Sequence, residues 1–248
     1  MGFLLPQWRV AGFALFVLAV AWAGKSEGRE VPKVMTRGEW GAMDADLPKL
    51  AKLPMGEIRY LSVHQTETPH PDRVDEIRRL RGIQSWHQAH EGGPQWGDIA
   101  YHYLIGPSGT IYEGRSESTA PSSGTIYLTE AQWEAAGQDE QGKTTAAKPG
   151  GSAKPGASAG HLTICFLGTY HDALPTQEAQ DAFLWLAREK MNEHEIPLER
   201  VLFHREIACW TDCPGQALYD WFRGPERRRG MLGPGLKKLQ AYQSKEKL

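Results

Sequence analysis

Phe203-His204-Arg205-Glu206-Ile207-Ala208-Cys209-Trp210-Thr211-Asp212-Cys213-Pro214-Gly215 is the stretch around which the rest of the chain organises itself. It follows the short apolar run Arg200-Val201-Leu202-Phe203, which predicts a buried strand with His204 at its end. Pro214 and Gly215 open a last helix over Gln216–Phe222, with proline near the first helical turn. A strand-end His and a loop Cys can meet on one side of a sheet, and imidazole nitrogen with thiolate sulfur suits zinc. A third ligand has to come from elsewhere. The candidate is His64, which closes another strand-like run, Ile58-Arg59-Tyr60-Leu61-Ser62-Val63. Two His and one Cys leave a fourth position for water, the layout of a catalytic rather than a structural zinc. Two competing readings stand beside this one: each His as an ordinary core or surface residue, and Cys213 as half of a disulfide.

Further motifs follow one another along the chain. They are Thr36-Arg37-Gly38-Glu39-Trp40-Gly41-Ala42, Val63-His64-Gln65-Thr66, Asp98-Ile99-Ala100-Tyr101-His102-Tyr103-Leu104-Ile105 and Gly109-Thr110-Ile111-Tyr112-Glu113-Gly114-Arg115, then Ile164-Cys165-Phe166-Leu167-Gly168, Phe203-His204-Arg205-Glu206 and Thr211-Asp212-Cys213-Pro214-Gly215. In this order they resemble the zinc-dependent N-acetylmuramoyl-L-alanine amidases of the peptidoglycan-recognition-protein and phage-lysozyme type, over about Thr36 to Phe222. The resemblance implies one α/β domain, a mixed twisted sheet flanked by helices. It also implies Zn2+ held by His64, His204 and Cys213, and hydrolysis of the lactyl amide between N-acetylmuramic acid and L-alanine of peptidoglycan. It further places Tyr101 beside the zinc-bound water, where a phenol can orient the water or donate to a developing oxyanion. Thr211 stands where related enzymes carry Lys or Thr, two residues before the last ligand; its hydroxyl is a hydrogen-bonding group and a poor general acid. His161 stands near the family's Asn-Ser position, either facing the cleft to contact substrate or capping its strand. Three other functions stay open. A recognition module of the same fold binds peptidoglycan without cutting it; in the family that state usually goes with loss of the Cys ligand. A cysteine hydrolase using Cys213 and His204 would ignore chelators. A purely structural zinc would have a closed tetrahedral site.

Outward from the motifs, Met1–Ala23 has a positive charge at Arg9, an apolar run from Val10 to Ala21 and small residues at Ala21 and Ala23, the pattern of a secretory signal peptide. The run is too short to span a bilayer comfortably, which takes about 20 residues, and an uncleaved N-terminal anchor is the competing reading; in either case the rest of the chain is exported. The expectation is therefore an exported protein, periplasmic or extracellular, without stable membrane insertion after cleavage. A near-neutral net charge of -2 gives no basic surplus for nucleic acid. The length suits one core and a monomer. Three cysteines leave Cys165 and Cys209 besides Cys213, so a Cys165–Cys209 bridge, or a Cys209–Cys213 bridge competing with the metal, is open. Residues 24–35 read as a polar leader, 36–224 as the amidase domain and 225–248 as a tail, with Leu236–Leu248 either a weak helix or disordered.

Helical spacing of Val74, Ile77, Leu80, Ile83 and Trp86 or His87 predicts a helix over Arg73–His90 with Asp72 as its cap and the charged residues on the opposite face. His87 and His90 at its end read as structural cations, and His70 as a solvent-exposed loop residue. Ile99–Ile105 and Thr110–Glu113 predict a hairpin around Gly106-Pro107-Ser108-Gly109, and Gly160–Gly168 a central strand. Pro175–Glu193 predicts a helix capped by Thr176, with Ala182, Phe183, Leu186, Ala187 and Lys190 or Met191 inward. Between Ser116 and Gly160 lies an insert, with a short helix expected over Leu128–Ala136 and a Gly-, Ala-, Lys-, Pro- and Ser-rich stretch over Gly137–Gly160 whose composition does not support a core.

Overall fold

Tyr60-Leu61-Ser62-Val63-His64-Gln65 and His161-Leu162-Thr163-Ile164-Cys165-Phe166 are the two longest strands, and they pair in parallel within the sheet. The structure is a computed structural model that describes residues 31–69, 75–121, 159–207, 211–224 and 231–245. Among these residues β1 (Val34–Met35), β2 (Tyr60–Gln65), β3 (Tyr103–Ile105), β4 (Ile111–Glu113), β5 (His161–Phe166) and β6 (Val201–Phe203) form one mixed sheet in the order β1-β4-β3-β5-β2-β6. β3 and β4 are the expected antiparallel hairpin; every other neighbouring pair is parallel. β5 is buried along its whole length, as a parallel strand covered on both faces must be.

The helices are α1 (Arg37–Trp40), α2 (Leu47–Leu50), α3 (Glu76–Gln88), α4 (Gln177–Glu193), α5 (His204–Ile207), α6 (Gln216–Arg223) and α7 (Pro234–Lys245). Side chains alternate across a strand, so the sheet has two different faces. Leu61, Val63, Ile164 and Phe166 meet Phe183 of α4, Leu218 and Phe222 of α6, and Leu236 and Leu239 of α7 in the larger core. Each fully buried Phe or Leu there contributes about 1.5–3 kcal/mol. On the other face Leu104 and Cys165 pack with Trp40 of α1 and with Leu80 and Ile83 of α3. Ser62, His64, His161 and Thr163 belong to this second face by strand alternation. Thr36 opens α1 with a capping box to Glu39, and Gly41 ends it in the left-handed conformation. Thr176 caps α4 through Ala179 N–H, as its sequence predicts.

Several expectations need correction. α3 begins at Glu76 rather than Arg73, and Asp72 and His70 lie outside the described residues. Glu76, expected on the solvent face of α3, is buried, because its carboxylate accepts from Ser108 N–H, Ser108 Oγ–H and Tyr112 O–H. β3 starts only at Tyr103, so Tyr101 sits in the irregular segment before it. The insert starts later than Ser116: Thr119 bridges to Pro54, and Thr119 and Ala120 are buried. Its remainder, residues 122–158 including Leu128–Ala136, lies outside the described residues. Beyond residue 224 the chain is not simply a tail, since Leu236 and Leu239 draw α7 onto the main core. Cys165 and Cys213 are both free thiols, which removes the disulfide readings that involve them; Cys209 lies outside the described residues.

Candidate metal centre

Parallel register brings the two candidate His residues together. Val63, inside β2, pairs with Phe203, the last residue of β6, and the next residue along the chain in each case is His64, still within β2, and His204. His204 opens the helical turn α5 instead of closing the strand, and its ring centroid lies 4.6 Å from that of His64. Cys213 arrives from the loop before α6. One ligand atom from each of His64, His204 and Cys213 lies within 4.8 Å of the others, and all three residues are buried. Cys213 Sγ is 3.8 Å from His64 Nδ1. A tetrahedral zinc, with bonds of about 2.3 Å to sulfur and about 2.0 Å to nitrogen, sets such atoms about 3.5 Å apart. The Cys213–His64 pair is within a few tenths of an ångström of that spacing, and the set as a whole lies within 4.8 Å.

The chemistry of the donors also fits a cation. Burial, reinforced by the neighbouring His204, holds the His64 imidazole well below its usual pKa. Burial pushes that of His204 down to about 4. Both rings are therefore neutral at pH 7, with lone pairs available. His64 Nε2 is buried with no hydrogen-bond partner. Burial pushes the Cys213 thiol up to about 12, opposed by the Gln65 N–H that donates to Sγ at 3.3 Å. Only a cation would hold that sulfur as a thiolate at neutral pH.

Tyr101 stands over this set, its ring 5.5 Å from that of His64. The residue is half-buried, but its hydroxyl end is enclosed. Burial, then the Cys165 and Cys213 thiols, raise the phenol pKa well above 10, so it remains a donor. Its backbone is held from three sides. Arg115 N–H donates to Tyr101 O at 2.8 Å, Ala100 N–H donates to His87 Nδ1 at 3.2 Å, and the Arg115 guanidinium binds the carbonyls of Ile99, Ala120, Asp98 and Trp96. Gly114 is required here: a Cβ would meet Tyr101 O at 2.2 Å. His87 is not the helix-end cation its position suggested. Burial, then Arg115, bring it down to about 4, and its neutral Nδ1 serves as an acceptor.

Thr211 Oγ accepts from Cys213 N–H at 3.1 Å and so braces the loop that carries Cys213. His161 is on the same sheet face but is not gathered with these residues. It pairs with Tyr60, four residues before His64, or about 13 Å along the strand at 3.3 Å per residue. Its ring stacks on Tyr60 at 4.7 Å, and its buried Nδ1 has no hydrogen-bond partner. Sequence reasoning missed Gln65, whose N–H faces the thiol, and Arg205, whose N–H donates to Cys213 O at 2.8 Å. Nothing in the spacing marks a backbone N–H, whereas an Arg directly after a candidate ligand could have been noticed. A cleft of about 640 Å³ opens beside Tyr101, lined by Thr66, Thr68, Arg79, Ile83, Trp86 and His87 among others. A second cluster, Glu117, Glu193 and His194, already holds the Lys190 ammonium at 2.7 Å from Glu117 and 2.8 Å from Glu193.

A sequence profile of the family described as N-acetylmuramoyl-L-alanine amidase matches residues 54–216. A human N-acetylmuramoyl-L-alanine amidase is 30% identical over 202 residues, covering 77% of this chain but only 28% of the human protein. Peptidoglycan-recognition protein SD of Drosophila melanogaster is 28% identical over 201 residues, covering 77% of this chain and 83% of that one. The crystal structure of Drosophila peptidoglycan recognition protein SD superposes with a TM-score of 0.53 at 24% identity, over 82% of this chain and 99% of that one. Human PGRP-IBETAC, solved in complex with glycosamyl muramyl pentapeptide, gives 0.54 at 25% identity, over 76% and 93%.

Proposed function

The chain belongs to the N-acetylmuramoyl-L-alanine amidase family, and on that footing we propose that it is a zinc-dependent hydrolase of the amide between N-acetylmuramic acid and L-alanine in peptidoglycan. The convergence of His64, His204 and Cys213, with neutral imidazoles and a buried thiol, carries this reading. Zinc held by these residues would supply Lewis-acid polarisation of the scissile carbonyl and a nucleophile from water at neutral pH. Tyr101 stays protonated and donates to the amide oxygen as negative charge develops there. Gln65 N–H steadies the sulfur, and Thr211 braces the loop that carries it while its own hydroxyl proton remains a donor toward the reacting carbonyl. His161 takes a substrate-binding role on this reading only at the far end of the same face. Because Tyr101 keeps its proton, proton delivery to the leaving amine passes through water.

The same reading makes residues 1–23 a secretory signal and 24–33 a leader, with the amidase domain of an exported monomer, periplasmic or extracellular, running from β1 through α7. Among the described residues no helix is long and apolar enough to cross a membrane. The test is cleavage of purified muropeptides by the protein and by its Cys213→Ala variant, with and without a chelator. Peptides with a new N-terminal alanine, appearing only with Cys213 and metal present, are the expected products. Muropeptide affinity without cleavage by the zinc-loaded protein would leave a recognition module instead.

A further inference from the structure

Arg205 follows His204 directly, and the hydrolytic scheme above gives it no part. Its contacts nonetheless all reach toward the other ligand. Its main-chain N–H, which any residue there would keep, donates to Cys213 O at 2.8 Å, and the side chain extends that link. Nη2 donates to Asp212 O and to Asp212 Oδ1, both at 2.8 Å, and Nη1 donates to Gln216 Oε1 at 3.0 Å. The guanidinium lies over the Tyr219 ring, 4.9 Å from its centroid. One residue therefore fastens the turn that carries His204 to the loop that carries Cys213 and to the first turn of α6.

The next residue anchors the same two segments from behind. Glu206 accepts from Arg223 Nε and Nη2, each at 2.7 Å, and from Tyr219 O–H at 3.0 Å. It also accepts from Phe203 N–H at 3.1 Å, while Arg223 Nη2 donates to Val201 O at 3.0 Å. This pair is buried on both sides, 2% and 4% exposed, and belongs to the core. Arg205 differs. Its side chain is 16% exposed and its carboxylate partner Asp212 is 79% exposed. Its contacts go mainly to the backbone and side chains of the ligand loop, so its effect falls on where that loop sits.

We infer that Arg205 is a positioning residue that holds the Cys213 sulfur opposite His64 and His204, so that a metal ion meets a donor set already assembled. The inference rests on the zinc reading above. A planar fork reaching Asp212 and Gln216 at once is a geometry an ammonium does not reproduce. Groups of this kind behind a metal ligand are typically worth 10–100-fold in metal affinity.

The experiment measures zinc dissociation constants by chelator competition for the full chain and for Arg205→Ala, Arg205→Lys and Asp212→Asn. Each is also loaded with cobalt to read the thiolate-to-cobalt charge-transfer band, and melted without metal. Arg205→Ala is expected to bind zinc about 10–100-fold more weakly, with a diminished cobalt–thiolate band and a metal-free melting temperature near that of the parent. Arg205→Lys is expected to recover only part of the affinity. Asp212→Asn, which keeps the backbone carbonyl, is expected to stay close to the parent. Equal zinc affinities and identical cobalt spectra for parent and Arg205→Ala would overturn the inference and leave the zinc reading intact. A loss of affinity matched by an equal loss of metal-free stability, and not eased by Lys, would overturn it too. A parent protein that binds no zinc would remove the zinc reading itself.

Discussion

Zinc uptake at pH 6 should release close to one proton from the protein, a count that follows from the burial of the three donors. Burial brings His204 to about 4, so at pH 6 only about 1% of it is protonated. His64 is displaced in the same direction by burial and by His204. Cys213, pushed up to about 12, is a thiol at this pH and must shed its proton to bind metal. The sum is one proton. Histidines with the ordinary pKa of about 6.5 would each be about three-quarters protonated at pH 6, and the release would rise to about 2.5 protons. The affinity for zinc should then strengthen about tenfold per pH unit, or about 1.4 kcal/mol, rather than by the steeper dependence of a protonated pair. Calorimetric titration in two buffers of different ionisation enthalpy gives the count directly, and pH 6 lies below the range in which a coordinated water ionises. Replacing Cys213 with Ser should take the release toward zero. A value near 2.5 for the parent protein would refute the argument from burial. A value near zero would refute Cys213 as the thiolate ligand.

Tyr101→Phe should lower kcat about 10²-fold while zinc content stays unchanged, because a donor to the developing oxyanion is removed and no ligand is touched; unchanged turnover would end the role given to this phenol. Arg223→Met should destabilise the protein by about 3–5 kcal/mol in urea unfolding, since it strands the buried Glu206 carboxylate, and a loss below about 1 kcal/mol would show that Tyr219 and Phe203 N–H suffice. Acid should weaken the fold through His102. Its Nδ1 takes the Thr163 N–H, and burial brings its pKa from 6.5 to about 4. The unfolded chain binds the proton first, so this contribution is complete above pH 6.5 and is lost as pH falls toward 4, about 3 kcal/mol in all. The His102 imidazole resonances should keep their neutral positions down to pH 5, and protonation near pH 6.5 in the folded protein would contradict this.

Much of the fold could be read from period and punctuation. The alternation Leu61-Ser62-Val63-His64 separates a greasy face from a polar one, and that is how β2 sits between the two cores. The Thr176 cap and the stripe through Ala182, Phe183, Leu186 and Ala187 give α4 almost to its ends. What stayed hidden has a common cause, which is satisfaction of buried charge by distant partners. Glu76 looks like a surface residue of α3 until the Ser108 turn and Tyr112 come to meet it. Arg115 looks like a loop cation until four carbonyls surround it, and burial brings its pKa down to about 10. The apolar content of α7 is low, and its helix depends on Leu236 and Leu239 finding α4 and α6.

The candidate site divides along the same line. His64 and His204 each continue a short apolar run, which singles them out in the sequence, and the Val63–Phe203 register of two parallel strands brings them together. His161 shows the limit of that logic. It too begins an apolar strand, but which residue of β2 it faces is a matter of register, and register is set by the pairing of whole strands rather than by either sequence. Aligned one way, His161 would have stood beside His64; the observed alignment gives that place to Cys165 and puts His161 against Tyr60. A candidate ligand can therefore be singled out in one sequence by its chemistry and its motif, while which residues stand beside it depends on register and is not visible there. Cys213 is the intermediate case. Its chemistry announces it, but its position depends on a loop held by Arg205, Thr211 and the Gln65 N–H.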